Sequence, residues 1–387
     1  MREMSGEKLL VRITDTGKNL YPFDESISSL PLLDMPLREF QKTESERAGF
    51  HWVEQAASIP LPAGTRAVCG ANVVFRAETL LALVDAAQNA GAPCRAGVPM
   101  GTALWDFVSP CRQGSREDAD AAGFALVAGE LEGQLPDEHF FASSRMVPLC
   151  DETGFEEVRV PPQGAPPHTL RVPQVKRLLG EIGHWLHLLN LNQALLHTVR
   201  AEKGAFGSQN AIEGNVRAHP SALVEGSILS DGVEIEQSAS VLGSFLGRDV
   251  KIGDHAIFQG CVIGAGCHTL VDTHMRRVVA LPGSTLSNLG VEDLLIGREV
   301  FLTTAVAFFG NGPGKNVVIE GADSNRAALS GAIGNRCVLG ARALFQAGLT
   351  VPSGTVIVMR PEEGLSKVDE KGLQRASMLL GNHQQDF

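Results

Sequence analysis

The chain has 387 residues, 44% of them hydrophobic and 20% charged. That is enough apolar material for two packed domains and too much for a disordered chain. Lys and Arg number 33 against 44 Asp and Glu, a formal net charge of −11, which argues against general nucleic-acid affinity because neutralising phosphates needs a basic excess. A local basic pocket for a small anion stays open. Seven cysteines without a CxxC pair read as reduced thiols of a cytoplasmic protein. The opening MREMSGEKLLVRITD has no apolar core for a signal peptide, and no window approaches 18 apolar residues, so no membrane span is expected.

Residues 9–41, LLVRITDTGKNLYPFDESISSLPLLDMPLREFQ, read as a short apolar strand, a loop carrying Gly17 and Lys18, then a helix entered near PLREFQ. The backbone N–H groups of such a loop suit anions. Residues 67–88, AVCGANVVFRAETLLALVDAAQ, read as a strand ending at Gly70-Ala71-Asn72 and a following helix. These segments resemble the opening of sugar-1-phosphate nucleotidyltransferases, in which a glycine-rich loop with an arginine wraps the nucleotide phosphates and a Gly-Asp strand end holds Mg²⁺. Here the loop has one glycine, Lys18 is the only cation near the arginine position, Leu30 stands where the family has lysine, and Asn72 stands at the Asp position. A neutral amide suits a hard cation poorly, so Mg²⁺ is not expected. The resemblance implies a shortened, degenerate α/β domain over 1–172, with Gly17, Lys18 and Asn72 marking a vestigial nucleotide loop.

Between 173 and 204, Leu178, Leu179, Ile182, Leu186, Leu189 and Leu196 recur at helical spacing. Pro173 suits a helix start and Gly204 a stop, so an interdomain linker helix is expected there. The stretch HWLHLLNLNQALL resembles the helix joining the two domains of archaeal-type bifunctional sugar nucleotidyltransferases. His184 and His187 stand three apart, but no third ligand is evident, and packing between domains is the better reading. No metal site is expected.

From about 212 to 358 the apolar period is six. One run is Leu223, Leu229, Ile235, Val241. After a one-residue slip come Leu246 and Ile252, and after another Ile257, Ile263 and Thr269. A second run is Ile333, Leu339, Phe345, Val351, Ile357. Neither a helix nor a plain strand has this period. It fits a three-sided coil that turns one large aliphatic side chain inward from each short flat side, stacked into a solenoid. IGDHA, IGAGC, IGNRC and LGARA resemble the hexapeptide repeats of left-handed parallel β-helix transferases. The resemblance implies a left-handed β-helix over 205–360, mostly acyltransferase activity, a homotrimer, and active sites between neighbouring prisms. Residues 308–331, rich in Gly and small polar residues, read as a loop ejected from the prism; in the family such loops reach over a neighbouring subunit's site. Residues 361–387 read as a helical cap on the open end.

Hexapeptide acyltransferases often use a histidine as general base, and the resemblance implies His274 in DTHMRR as the candidate that would deprotonate an acceptor amine or hydroxyl. Asp272 would orient it, and Arg276 and Arg277 would hold phosphates of a sugar nucleotide or a coenzyme. Arg298 and Lys315 are further candidates for anion binding. The competing reading makes all of these exposed corner residues. Cys261, Cys267 and Cys337 fall at inward small-residue positions and read as core. Three functions follow from the resemblance: acyl transfer to a sugar nucleotide or sugar phosphate, with acetyl coenzyme A or a relative as donor; a trimeric scaffold or nucleotide-sugar sensor without catalysis; or an active nucleotidyltransferase with relocated catalytic residues.

Overall fold

The computed structural model describes residues 8–14, 19–111, 117–118, 121–149, 152–160, 168–287, 289–303, 306–309, 316–326, 328–340 and 343–358. Gly17, Lys18, Lys315 and the expected cap at 361–387 lie outside them.

The N-terminal part is built on a mixed sheet. Its strand order is Arg145–Pro148, Cys94–Pro99, Ala121–Ala128, Thr65–Cys69, Leu9–Ile13, His51–Gln55. Leu9–Ile13 runs parallel to both neighbours, and Ala121–Ala128 is antiparallel to both of its own. Helices α1 (Leu37–Arg47), α2 (Ala77–Ala90), α3 (Ala103–Val108) and α4 (Glu138–Ser143) accompany it. The chain steps from Leu9–Ile13 to one side and then returns to pair Thr65–Cys69 on the other. That reversal makes the carboxyl ends of these two strands the topological switch point, where open α/β sheets usually bind ligands.

The connection to the second part differs from the expected continuous helix. Residues 168–175 form a strand that includes Pro173, and Leu179–Glu181 form another. The helix, α5, spans Trp185–Glu202. Leu178, Leu179 and Ile182 are fully buried, so their spacing reported burial on an extended segment rather than on a helix face. Gly180 explains part of this: a Cβ there would meet Leu191 at 2.6 Å, so the segment lies directly against α5.

The second part is a parallel β-helix. Two faces have eight strands each and the third has five, all parallel, which fits the left-handed form that the resemblance implies. Successive partners are 17 residues apart, as in Ile228, Phe245, Val262 and Val279. The inward residues Leu229, Ile235, Val241 and Leu246 are therefore spaced six, six and five. What the sequence shows as slips are the regular five-residue corner of a 17-residue coil. The phase on the third face also shifts by one: Val224 and Phe258 point inward, while Leu223 is 47% exposed and Ile257 is its outward counterpart.

At that short corner the backbone is left-handed in five successive coils, at Gly226, Gly243, Gly260, Arg277 and Asp293 (φ 58°, 57°, 60°, 51° and 49°). Glycine is needed early because Arg200 at the end of α5 lies over the corner. A Cβ on Gly226 or Gly243 would meet its guanidinium at 2.9 or 3.0 Å, and Arg200 Nε donates to the Gly226 carbonyl at 2.6 Å.

The first face is covered. Its outward column, Ile228, Phe245, Val262, Val279, Leu295 and Ala332, is buried in one cluster with α5 and the N-terminal core. Each large side chain so buried contributes roughly 1.5–3 kcal/mol of transfer free energy. Polar anchors fix the register between the parts. Asn335 Nδ2 donates to the Phe23 carbonyl at 2.7 Å, Ser353 Oγ to Pro22 at 2.6 Å, and Trp185 Nε1 to Thr350 Oγ1 at 3.1 Å.

The excursion after the strand Ala307–Phe309 sits at a third-to-first-face corner. Its described part forms a hairpin, Val318–Ile319 with Ala322–Asp323. It folds back on its own chain: Val317, Ile319 and Leu329 enter the core shared with α5. Arg326 Nη2 donates to Asn190 on α5 at 2.5 Å, and the Arg326 guanidinium lies 5.0 Å from the Phe107 ring.

Candidate functional sites

At the switch point, the last turn of strand Leu9–Ile13 presents Arg12, a charge within an apolar run. Its guanidinium is buried. Nε donates to Gln41 Oε1 at 2.8 Å, Nη1 to Glu54 at 3.4 Å, and Nη2 to Ser28 Oγ and to the Ala71 carbonyl at 3.4 Å. Gln41 in turn donates to the Gly70 and Val73 carbonyls at 3.0 and 2.6 Å. A protein cluster therefore holds this carboxyl end together. Asn72 is committed as well: its Nδ2 donates to Glu181 Oε1 at 2.8 Å and to the Ile182 carbonyl at 3.3 Å. This side chain ties the sheet to the segment leading into α5. Beside the cluster lies a polar cleft of about 690 Å³ that includes Ser28, Trp52 and the Arg38–Glu54 pair. Sequence reasoning did not single out Arg12, Gln41 or Glu54. The available signal was the arginine inside LLVRI.

His274 opens the third-face strand His274–Arg276 and is exposed. Its register neighbours are Ile257 and Leu289. Among the described residues no hydrogen bond joins it to Asp272, which sits at the preceding corner with φ 57° and gives its backbone N–H to Asp254 at 3.0 Å. Leu270 and Val271, 43% and 51% exposed, occupy the same corner.

The neighbouring arginines have protein partners. Arg276 Nε donates to Gln259 at 3.0 Å, and Nη1 meets Glu292 at 2.5 Å. Arg277 is buried and chelates Asp293 through Nε at 2.9 Å and Nη2 at 2.6 Å. Asp293 also accepts from Arg326 Nη1 at 3.1 Å. Arg298 reaches across to the N-terminal part, meeting Glu25 at 3.1 Å and the Ser29 carbonyl at 2.9 Å. The structure thus brings His274 and Arg276 onto one open strand, turns Arg277 into the interior, and uses Arg298 as an interdomain clamp.

His184 caps α5 by accepting the Leu186 N–H at 3.1 Å, and His187 Nε2 lies 2.6 Å from the Pro110 carbonyl. Burial, helped by His187, lowers the His184 pKa to about 4. Cys261, Cys267 and Cys337 are buried free thiols. Burial pushes the pKa of Cys261 and Cys267 up to about 12, which leaves almost no thiolate at neutral pH. Among the described residues no three His, Cys, Asp or Glu side chains cluster to hold a metal, and no helix is long and apolar enough to cross a membrane.

No protein-family model matches the chain, and no curated protein matches it. Among solved structures, two variants of a perosamine N-acetyltransferase from Caulobacter crescentus, each in complex with CoA and GDP-perosamine, are similar. A histidine-to-asparagine variant is 18% identical over 45% of this chain and 63% of that chain, with a TM-score of 0.17. A histidine-to-alanine variant is 20% identical over 44% and 62%, with a TM-score of 0.15. The chain spans less than two thirds of the length of either neighbour.

Proposed function

We propose that the chain is a cytoplasmic transferase that moves an acyl group from a thioester such as acetyl coenzyme A to a sugar nucleotide or sugar phosphate. The reaction would run on the third face of the β-helix, in a groove completed by a second copy within a homotrimer. His274 takes the proton from the acceptor amine or hydroxyl. The acceptor attacks the thioester carbonyl, the new C–N or C–O bond forms, the C–S bond breaks, and the thiolate leaves and is reprotonated. Arg276 is the cation nearest this base on the strand, and Lys315 remains a candidate for anion binding.

The observation that supports this reading is the setting of His274: exposed, its imidazole without a hydrogen-bond partner among the described residues, and a few residues past the exposed apolar Leu270 and Val271. An exposed apolar pair at the corner before an unbonded imidazole suits a face that a second copy covers. The N-terminal domain is then a nucleotidyltransferase-like scaffold. The Arg12 cluster and the bonded Asn72 weigh against nucleotidyl transfer. The reading as a non-catalytic scaffold or nucleotide-sugar sensor is favoured by one specific feature, the pairing of Arg276, Arg277 and Arg298 with carboxylates.

The test is acyl transfer from acetyl coenzyme A to a panel of amino- and hydroxy-sugar nucleotides, with wild type and H274A compared. Acylation that falls at least a hundredfold in H274A, with unchanged thermal stability, supports the catalytic reading. Binding of a sugar nucleotide with no acylation and no affinity for coenzyme A would leave the sensor.

A further inference from the structure

A second cavity, of about 510 Å³, lies where the N-terminal hairpin, α1, α5 and the first face of the β-helix meet. Its size is within the range of about 300–1,000 Å³ typical of small-molecule pockets. It is distinct from the third face and from the switch-point cleft. Phe40, Leu195, Val199, Ile228 and Phe245 give it apolar walls drawn from three different elements.

One wall is a strained tip. The hairpin Pro31–Leu32, Met35–Pro36 turns at Leu33 and Asp34, and Leu33 has φ 56°, a left-handed conformation that a branched apolar residue rarely adopts. The tip is held from two sides. Leu33 N–H donates to Asn192 Oδ1 on α5 at 2.6 Å, and Asp34 Oδ1 accepts from Ala265 N–H on the β-helix at 3.1 Å. Backbone strain over-determined in this way, on the wall of a cavity, points to a shaped site.

The charges around the cavity sort into pairs. Lys203 meets Glu213, and Arg76 is shared by Glu44 at 3.3 Å and Glu202 at 2.9 Å, its Nε and Nη1 making no hydrogen bond among the described residues. What remains in the lining is two carboxylates, Asp34 and Asp231, whose side-chain oxygens accept only backbone N–H groups, and one exposed guanidinium, Arg248, beside them. Burial already pushes the Asp34 carboxyl up, with Ala265 N–H and Arg248 offsetting it.

We propose that this cavity binds a single-chain amphiphile with an aliphatic tail and a cationic amine head. The tail lies against Phe40, Leu195, Val199 and Phe245, and the ammonium donates to Asp34 and Asp231. The lining's carboxylates outnumber its cations by one, four to three, so an anionic head is disfavoured. This site does not depend on acyl transfer at His274.

The test is calorimetric titration of the full-length protein with decylamine and decanoate below their micelle concentrations and 1-decanol below its solubility limit. The expected result is one saturable site per chain, with the amine bound at least tenfold tighter than the carboxylate and the alcohol between them. V199F, which fills the cavity from α5, weakens all three probes at least tenfold. D34N and D231N keep an oxygen for their backbone N–H donors; each weakens decylamine at least threefold and leaves decanol unchanged. The proposal is overturned if no probe saturates, if decanoate binds tightest, if V199F with an unchanged unfolding midpoint binds like wild type, or if neither Asn variant affects the amine.

Discussion

Replacing Asp293 with alanine tests how the third-face corner is held. Asp293 is 1% exposed and is shared by two guanidiniums, Arg277 and Arg326, that are themselves 3% and 6% exposed at the side chain. D293A removes two bonds to Arg277 and one to Arg326. Arg277 keeps Glu292 at 3.3 Å, a carboxylate with 28% side-chain exposure. Arg326 keeps Asn190 and the Phe107 ring, but among the described residues no other carboxylate within 4.0 Å. Removing one partner from a buried ion pair costs about 3–5 kcal/mol. With Glu292 compensating Arg277 in part and no second carboxylate on Arg326, D293A is expected to cost about 4 kcal/mol, and D293N about half as much because it keeps one acceptor. Urea unfolding followed by circular dichroism reads this as a lower midpoint at constant slope. Adding R326M to D293A removes one stranded charge and recovers at least about 1 kcal/mol. A D293A loss below about 1 kcal/mol, or no recovery in the double variant, refutes the reasoning.

Three other substitutions follow from the same geometry. His184, its pKa lowered to about 4 by burial and His187, stays neutral in the folded chain while the unfolded chain takes up a proton near pH 6.5. Stability is therefore full above pH 6.5 and falls as pH drops toward 4, by about 3 kcal/mol; H184N, which keeps a capping oxygen, flattens that slope in a pH series of unfolding midpoints. G243A puts a Cβ 3.0 Å from the Arg200 guanidinium at φ 57° and is expected to cost about 1–2 kcal/mol; the G243A/R200A pair should lose less than the sum of the single variants in a double-mutant cycle. N72D sets a second carboxylate where Asn72 now donates to Glu181 at 2.8 Å. It should destabilise by about 1–3 kcal/mol at pH 7 and recover near pH 4, where the two carboxyls share a proton; Mg²⁺-dependent rescue of N72D at pH 7 would instead point to a metal site.

The solenoid was legible because its inward column repeats along the chain, so Leu229, Ile235, Ile333 and Leu339 announce themselves. Its true coil length was not. A five-residue corner looks like an isolated slip until strand pairing shows it recurring at Gly226, Gly243 and Gly260. The covered first face left a trace in the sequence that went unread: the residue before each inward aliphatic there is also apolar, as in Ile228-Leu229, Phe245-Leu246 and Val262-Ile263. The linker misled because Leu178 to Ile182 are buried on strand-like backbone, where burial on both sides imitates a helical stripe. Site chemistry is less legible than a repeat. His274 stands on an open strand, but whether an arginine meets a ligand or a carboxylate depends on partners distant in sequence, such as Glu25 for Arg298 and Asn190 for Arg326, and no local motif encodes those.

A crystal structure of the protein with coenzyme A and an amino-sugar nucleotide tests the proposed chemistry most directly. The account predicts that two copies flank the third face, with the His274 imidazole within about 2.6–3.2 Å of the acceptor nitrogen and the coenzyme thiol on its far side. Both ligands bound elsewhere, with His274 open to bulk water and no second copy against Leu270 and Val271, would contradict it.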